Sequence, residues 1–74
     1  MRERLRPVEA RRLVSFLIKQ GFAIIGQTGS HLKLRRGNEM LVVPMHARQP
    51  VKPGLVLKIL KQAGVDPHAA LDDL

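Results

Sequence analysis

Two glycine-first dipeptides, Gly29-Ser30 and Gly37-Asn38, punctuate the middle of this chain with six residues between them. A two-residue type II′ hairpin wants glycine first, because that position takes a positive φ. Turns this close leave room for one short strand between them and one on either side. Residues 22–28, 31–36 and 39–44 are therefore predicted to form a three-stranded antiparallel meander. The middle segment alternates cleanly. Leu32 and Leu34 fall on one face, and His31, Lys33 and Arg35 on the other. In the third segment the run Met40-Leu41-Val42-Val43 shows no alternation and leaves its facing open.

Helical periodicity flanks the meander. Pro7 suits a first helical position, and residues 8–20 follow a 3.6-residue pattern. Ala10, Leu13, Val14, Phe16, Leu17 and Ile18 form a broad apolar arc, with Arg11, Arg12, Ser15 and Lys19 opposite. The arc is wider than one buried face needs; a second contact surface is one explanation, and crowding between a sheet and another helix is the ordinary one. Gly21 supplies the stop. Residues 44–54 form a loop holding Pro44, Pro50 and Pro53. A second helix is predicted over 54–63, with Leu55, Val56, Ile59, Leu60 and Ala63 inward and Gly64 at its end. Asp66-Pro67 pairs an N-cap with a first-turn proline and opens a short helical turn over 67–73. The expectation is one α+β domain spanning 1–74, an α-β-β-β-α two-layer arrangement with both helices on one face of the sheet. That order resembles the double-stranded-RNA-binding fold, a likeness that assigns no function by itself.

Size and charge narrow the function. A domain of 74 residues buries only about 60% of the surface its unfolded chain exposes. No cysteine is present to staple it or to ligate a metal, which is compatible with a cytoplasmic location. The opening segment Met1-Arg2-Glu3-Arg4-Leu5-Arg6 has no apolar signal core, and no run reaches transmembrane length. A cytoplasmic protein without a membrane partner is expected. Thirteen Lys and Arg against six Asp and Glu give a net charge of +7, spread along the chain rather than confined to one amphipathic helix. That distribution favours a nucleic acid over a membrane surface. With no Trp or Tyr and both Phe at predicted core positions, phosphate contacts are a better basis for binding than base stacking.

His31 is the first candidate for chemistry. An imidazole moves a proton near neutral pH without a cofactor, and Lys33 and Arg35 on the same face would neutralise charge building on a phosphate. From position alone it reads as an exposed strand histidine of no consequence, since an isolated histidine carries little catalytic signal. His46 lies in the irregular loop after Pro44, where function often resides, and reads from position as a surface histidine; His68 reads the same way. No HxH or HxxxH spacing is present, which argues against zinc, and no cofactor is implied. Ser30 lacks a nucleophile elbow and is explained, with Gly29, by the turn. Lys52-Pro53-Gly54 offers a cation and free backbone N–H groups where a phosphate can sit, and equally an ordinary proline-initiated helix. Three readings follow from the residues: a nuclease, a non-catalytic RNA-binding module that grips phosphates and 2′-hydroxyls by shape, and a structural subunit for an acidic protein.

Taken in order, Gly21-Phe22, Gly29-Ser30-His31, Val43-Pro44 with His46, Lys52-Pro53-Gly54 and the run Ile59-Leu60-Lys61-Gln62-Ala63-Gly64 resemble the HicA family of toxin ribonucleases, the small partners of HicB antitoxins. No single piece is specific; the ordered set spans the chain from the first helix to Gly64. The resemblance implies a type II toxin with a double-stranded-RNA-binding-like fold. It also implies a metal-independent endoribonuclease that cleaves mRNA, held by a HicB-type antitoxin, with His31 as the catalytic residue. Lys33, Arg35, His46 and Lys52 are the RNA-binding candidates, and Gly29 and Ser30 position His31. Leu34 departs from the aromatic residue that family members often carry there, as Ala70 and Leu71 do in the tail. The resemblance supplies no role for the Arg2, Arg4 and Arg6 cluster.

Overall fold

Both glycine-first turns close as the sequence requires. In the computed structural model, which describes residues 6–46 and 49–74, Gly29 has φ 59° and Gly37 φ 60°, and no described non-glycine residue takes a positive φ. Ser30 and Asn38 therefore sit at negative φ, as the second position of a type II′ turn demands. The pairs Thr28↔His31 and Arg36↔Glu39 close these two-residue loops. The strands are β1 (Ala23–Thr28), β2 (His31–Arg36) and β3 (Glu39–Pro44), in the order β1-β2-β3.

Strand β2 alternates as expected, with Leu32 and Leu34 buried and His31, Lys33 and Arg35 exposed. Strand β3 alternates too. Leu41 and Val43 are buried, while Met40 and Val42 stand on the open face, 53% and 43% exposed. The register sets Leu34 beside Leu41 and Leu32 beside Val43, which builds one apolar face.

Among the described residues the helices are α1 (Ala10–Lys19), α2 (Pro53–Gln62) and α3 (Pro67–Asp73). Helix α1 begins two residues later than the sequence suggests. Val8 is instead held in an isolated antiparallel bridge to Val51, with bonds of 3.1 and 2.7 Å. Phe22 precedes β1 and is buried. Helices α1 and α2 pack against β3, and α3 packs against α2. Leu13, Leu17, Leu34, Leu41, Ile59 and Leu60 are almost fully excluded from water. Each such side chain contributes roughly 1.5–3 kcal/mol over its exposed state. Two expected core residues are not core. Ile18 is 47% exposed and Leu55 37%, because each helix turns only part of its apolar arc toward the sheet.

Arginines hold the ends together. Arg36, at the end of β2, donates from Nη1 to the Gln20 carbonyl at 2.8 Å and from Nη2 to the Ala63 carbonyl at 2.8 Å. Its Nε and Nη2 both reach Glu39 Oε1, at 3.1 and 2.7 Å. Its Cζ lies 4.4 Å from the centroid of the Phe22 ring. One side chain thus joins the C-terminal ends of α1 and α2 to the sheet. Gly21, at φ 99°, makes room for it: a Cβ there would lie 3.3 Å from Arg36 Cδ. Arg6 Nη2 donates to the Leu71 carbonyl and Arg12 Nη1 to the Leu74 carbonyl, both at 3.0 Å, so α3 is tied back to α1. Arg2 and Arg4 lie outside the described residues. The predicted cap forms, with Asp66 Oδ1 accepting from the His68 backbone N–H at 3.1 Å.

Strand β1 is the least covered element. None of its residues is buried, and Ile24 and Ile25 are 50% and 49% exposed. Its ladder slips between Ile24, opposite Leu34, and Gly26, opposite Lys33, leaving Ile25 as an extra residue in a bulge.

Candidate functional site

The uncovered face of the sheet is built by the even spacing of β2. His31, Lys33 and Arg35 project from it in a row, with Cα atoms about 7 Å apart from one to the next. The register fixes their neighbours. His31 lies between Thr28 and Pro44, Lys33 between Gly26 and Val42, and Arg35 between Ala23 and Met40. A histidine and two cations are therefore bordered by small or apolar residues. No acidic residue shares this face among the described residues, and neither cation has an ion pair there. The ion pairs of Arg12 with Glu9 and of Arg36 with Glu39 lie elsewhere. The open face thus presents uncompensated positive charge beside a proton-transfer group.

His31 sits at one particular end of the domain. Strand β2 starts there and β3 ends there, since His31 pairs with Pro44. The backbone N–H of Met45 donates to the Ser30 carbonyl at 2.5 Å, which fastens the loop after β3 to the turn before His31. The Val8–Val51 bridge brings the starts of α1 and α2 together. Neither helix has a side-chain cap at its N-terminus; Glu9 and Lys52 occupy the cap positions without such a bond. The C-terminal ends of both helices meet Arg36 at the opposite end. The two helix dipoles therefore run in the same sense, with their partial positive charge toward the His31 end and Arg36 offsetting the negative end.

Between the start of α1 and the loop after β3 lies a cleft of about 690 Å³, lined by Glu9, Arg11, Met45, His46, Gln49 and Pro50 among others. His46 is exposed on its wall, two residues beyond the cross-strand partner of His31. Lys52 is exposed at the N-cap of α2. The fold thus gathers His31, Lys33 and Arg35 on one face and sets His46 in the adjoining cleft. Lys52 stands at the helix start beside the Val8–Val51 bridge. Arg11 went unnoticed in the sequence because it belongs to an ordinary polar helix stripe. It makes no hydrogen bond or ion pair among the described residues, unlike its neighbour Arg12.

Among the described residues, no three His, Cys, Asp or Glu side chains gather as metal ligands, and no helix is long and apolar enough to cross a membrane. A family model described as "HicA toxin of bacterial toxin-antitoxin" matches residues 10–65, from the first residue of α1 to just past α2. No curated protein and no solved structure matches the chain.

Proposed function

From the premise that this chain belongs to the HicA family of bacterial toxins, we propose that it is a metal-independent endoribonuclease that cleaves mRNA with His31 and is held in check by a HicB-type antitoxin. The observation that carries this reading is the row of His31, Lys33 and Arg35 on a sheet face with no acidic residue among the described residues. RNA brings its own nucleophile. His31 takes the proton from a 2′-hydroxyl as that oxygen attacks the adjacent phosphorus. The new 2′-O–P bond replaces the 5′-O–P bond, leaving a 2′,3′-cyclic phosphate and a 5′-hydroxyl. Lys33 and Arg35 stabilise the negative charge that builds on the phosphoryl oxygens. The leaving 5′-oxygen takes a proton from His46 or from water.

The type II′ turn suits this role. It fixes the backbone at Gly29 and Ser30 and starts β2 at His31 with no residue between. The side chain is exposed, so truncating it opens no cavity. The His31→Ala protein is expected to keep its melting temperature and its RNA affinity, while cleavage falls by about 10²–10⁴-fold, the usual share of a general acid–base group. EDTA leaves the parent activity unchanged, and a 2′-O-methyl group at the cut site abolishes it. Cleavage by folded His31→Ala protein at the parent rate, or dependence on a divalent metal, would sink the mechanism. Salt-sensitive RNA binding without cleavage by the parent protein selects the non-catalytic RNA-binding alternative.

A further inference from the structure

We propose that the cleft between the start of α1 and the loop after β3 is a subsite for one unstacked nucleotide next to the scissile phosphate, and that Arg11 binds that nucleotide's phosphate. The inference rests on the nuclease reading above and adds to it a place for the substrate and a residue to hold it. An RNA strand lying along β2 passes Arg35 and Lys33 and runs off the sheet at His31. The next nucleotide must then leave the sheet. What it meets there is the cleft, whose wall residue Met45 is hydrogen-bonded to Ser30, the residue before His31.

The lining chemistry fits a nucleotide. Met45 and Pro50 offer apolar surface, and the His46 imidazole a ring face, on which a base can lie. His46 and Gln49 offer polar groups, and Arg11 offers a guanidinium with no competing partner among the described residues. Glu9 also lines the cleft, so the phosphate belongs on the Arg11 side and the base on the Glu9 side, where a carboxylate accepts from an amino group. Arg12 Nε, 3.7 Å from the Glu9 carboxylate, offsets part of its charge. The volume lies within the range of about 300–1,000 Å³ typical of small-ligand clefts. Recognition of single unstacked nucleotides in such recesses is how sequence-specific RNA contact generally works.

The test uses the full chain carrying His31→Ala, which binds without cutting, and a short single-stranded RNA of mixed sequence. Arg11→Gln is added in one protein and Lys19→Gln in another. Both changes remove one positive charge from the exposed side of α1, but Lys19 lies at the far end of the helix. Arg11→Gln should weaken binding about tenfold, the order of one charge-assisted contact, and flatten the log–log salt slope by about 0.7. Lys19→Gln should leave both nearly unchanged. Equal losses for the two substitutions, or none for Arg11→Gln, overturn the subsite while leaving the nuclease reading intact. Failure of the His31→Ala chain itself to bind RNA overturns both.

Discussion

Replacing Arg36 with methionine keeps most of the side-chain stem against Phe22 and removes the guanidinium. Four things are lost with it. The carbonyls of Gln20 and Ala63 lose a charged donor, each contact being worth about 1.5 kcal/mol at the low end for such bonds. The charge above the Phe22 ring contributes about 0.5–1 kcal/mol, and the half-exposed pair with Glu39 less than about 1 kcal/mol. The side chain is 34% exposed, so water rehydrates part of what is abandoned. A net loss of about 2–3 kcal/mol is expected. A core of this size rarely supplies more than about 3–5 kcal/mol, so the substitution removes most of the margin. With about 4–8 °C lost per kcal/mol in a domain this small, the melting temperature should fall by about 10–20 °C. The chain has no Trp or Tyr, so unfolding is followed by far-ultraviolet circular dichroism. Glu39→Gln serves as the control, because it removes the ion pair and spares both helix ends; its cost should stay under about 1 kcal/mol. If Arg36→Met melts within a few degrees of the parent, or Glu39→Gln costs as much, the clamp on the helix ends is not what holds this end of the domain.

Three further outcomes follow from the geometry. RNA binding should weaken steeply with salt, and replacing both Lys33 and Arg35 with Gln should flatten the log–log slope by about 1.4, two phosphate contacts at about 0.7 each; an unchanged slope in a salt titration would place the phosphates elsewhere. Gly29→Ala should cost about 1–2 kcal/mol through its positive φ alone, since a Cβ there meets nothing within 4 Å, whereas Gly26→Ala, in equally open space at an ordinary φ, should be close to neutral; paired thermal melts compare them. A HicB-type antitoxin should cover His31 and present acidic or neutral groups to Lys33 and Arg35, so the co-purified complex should be inactive on RNA, and full activity in a stable complex would disprove occlusion.

The turns were legible because glycine at a positive φ has few substitutes, and the turns in turn placed all three strands. The facing of β2 was legible because polar and apolar residues take turns along it. That of β3 was not, because Met40 and Val42 put apolar side chains on the open face and mask the period of two. Ile18 and Leu55 misled in the same way: apolar character marks what is able to be buried, and only packing decides what is. The row of His31, Lys33 and Arg35 could be read from one strand. The roles of Arg36 and Arg11 could not. Arg36 acts on carbonyls contributed by two helices distant in sequence. Arg11 becomes notable only once the loop after β3 has folded against the start of α1.

The bulge at Ile25 has a bearing on solubility. A six-residue edge strand with two exposed isoleucines and no charged residue is the kind of surface on which chains add to one another, strand upon strand. The extra residue breaks the even spacing of the outward N–H and C=O groups and increases the local twist, so a second copy finds no continuous row to pair with. Deleting Ile25 would straighten the strand and restore that row. The shortened chain should fold with the same β2 and β3, yet precipitate or form fibres at concentrations where the parent stays in solution. On this view the irregular spot in the sheet is a safeguard against self-association along the β1 edge.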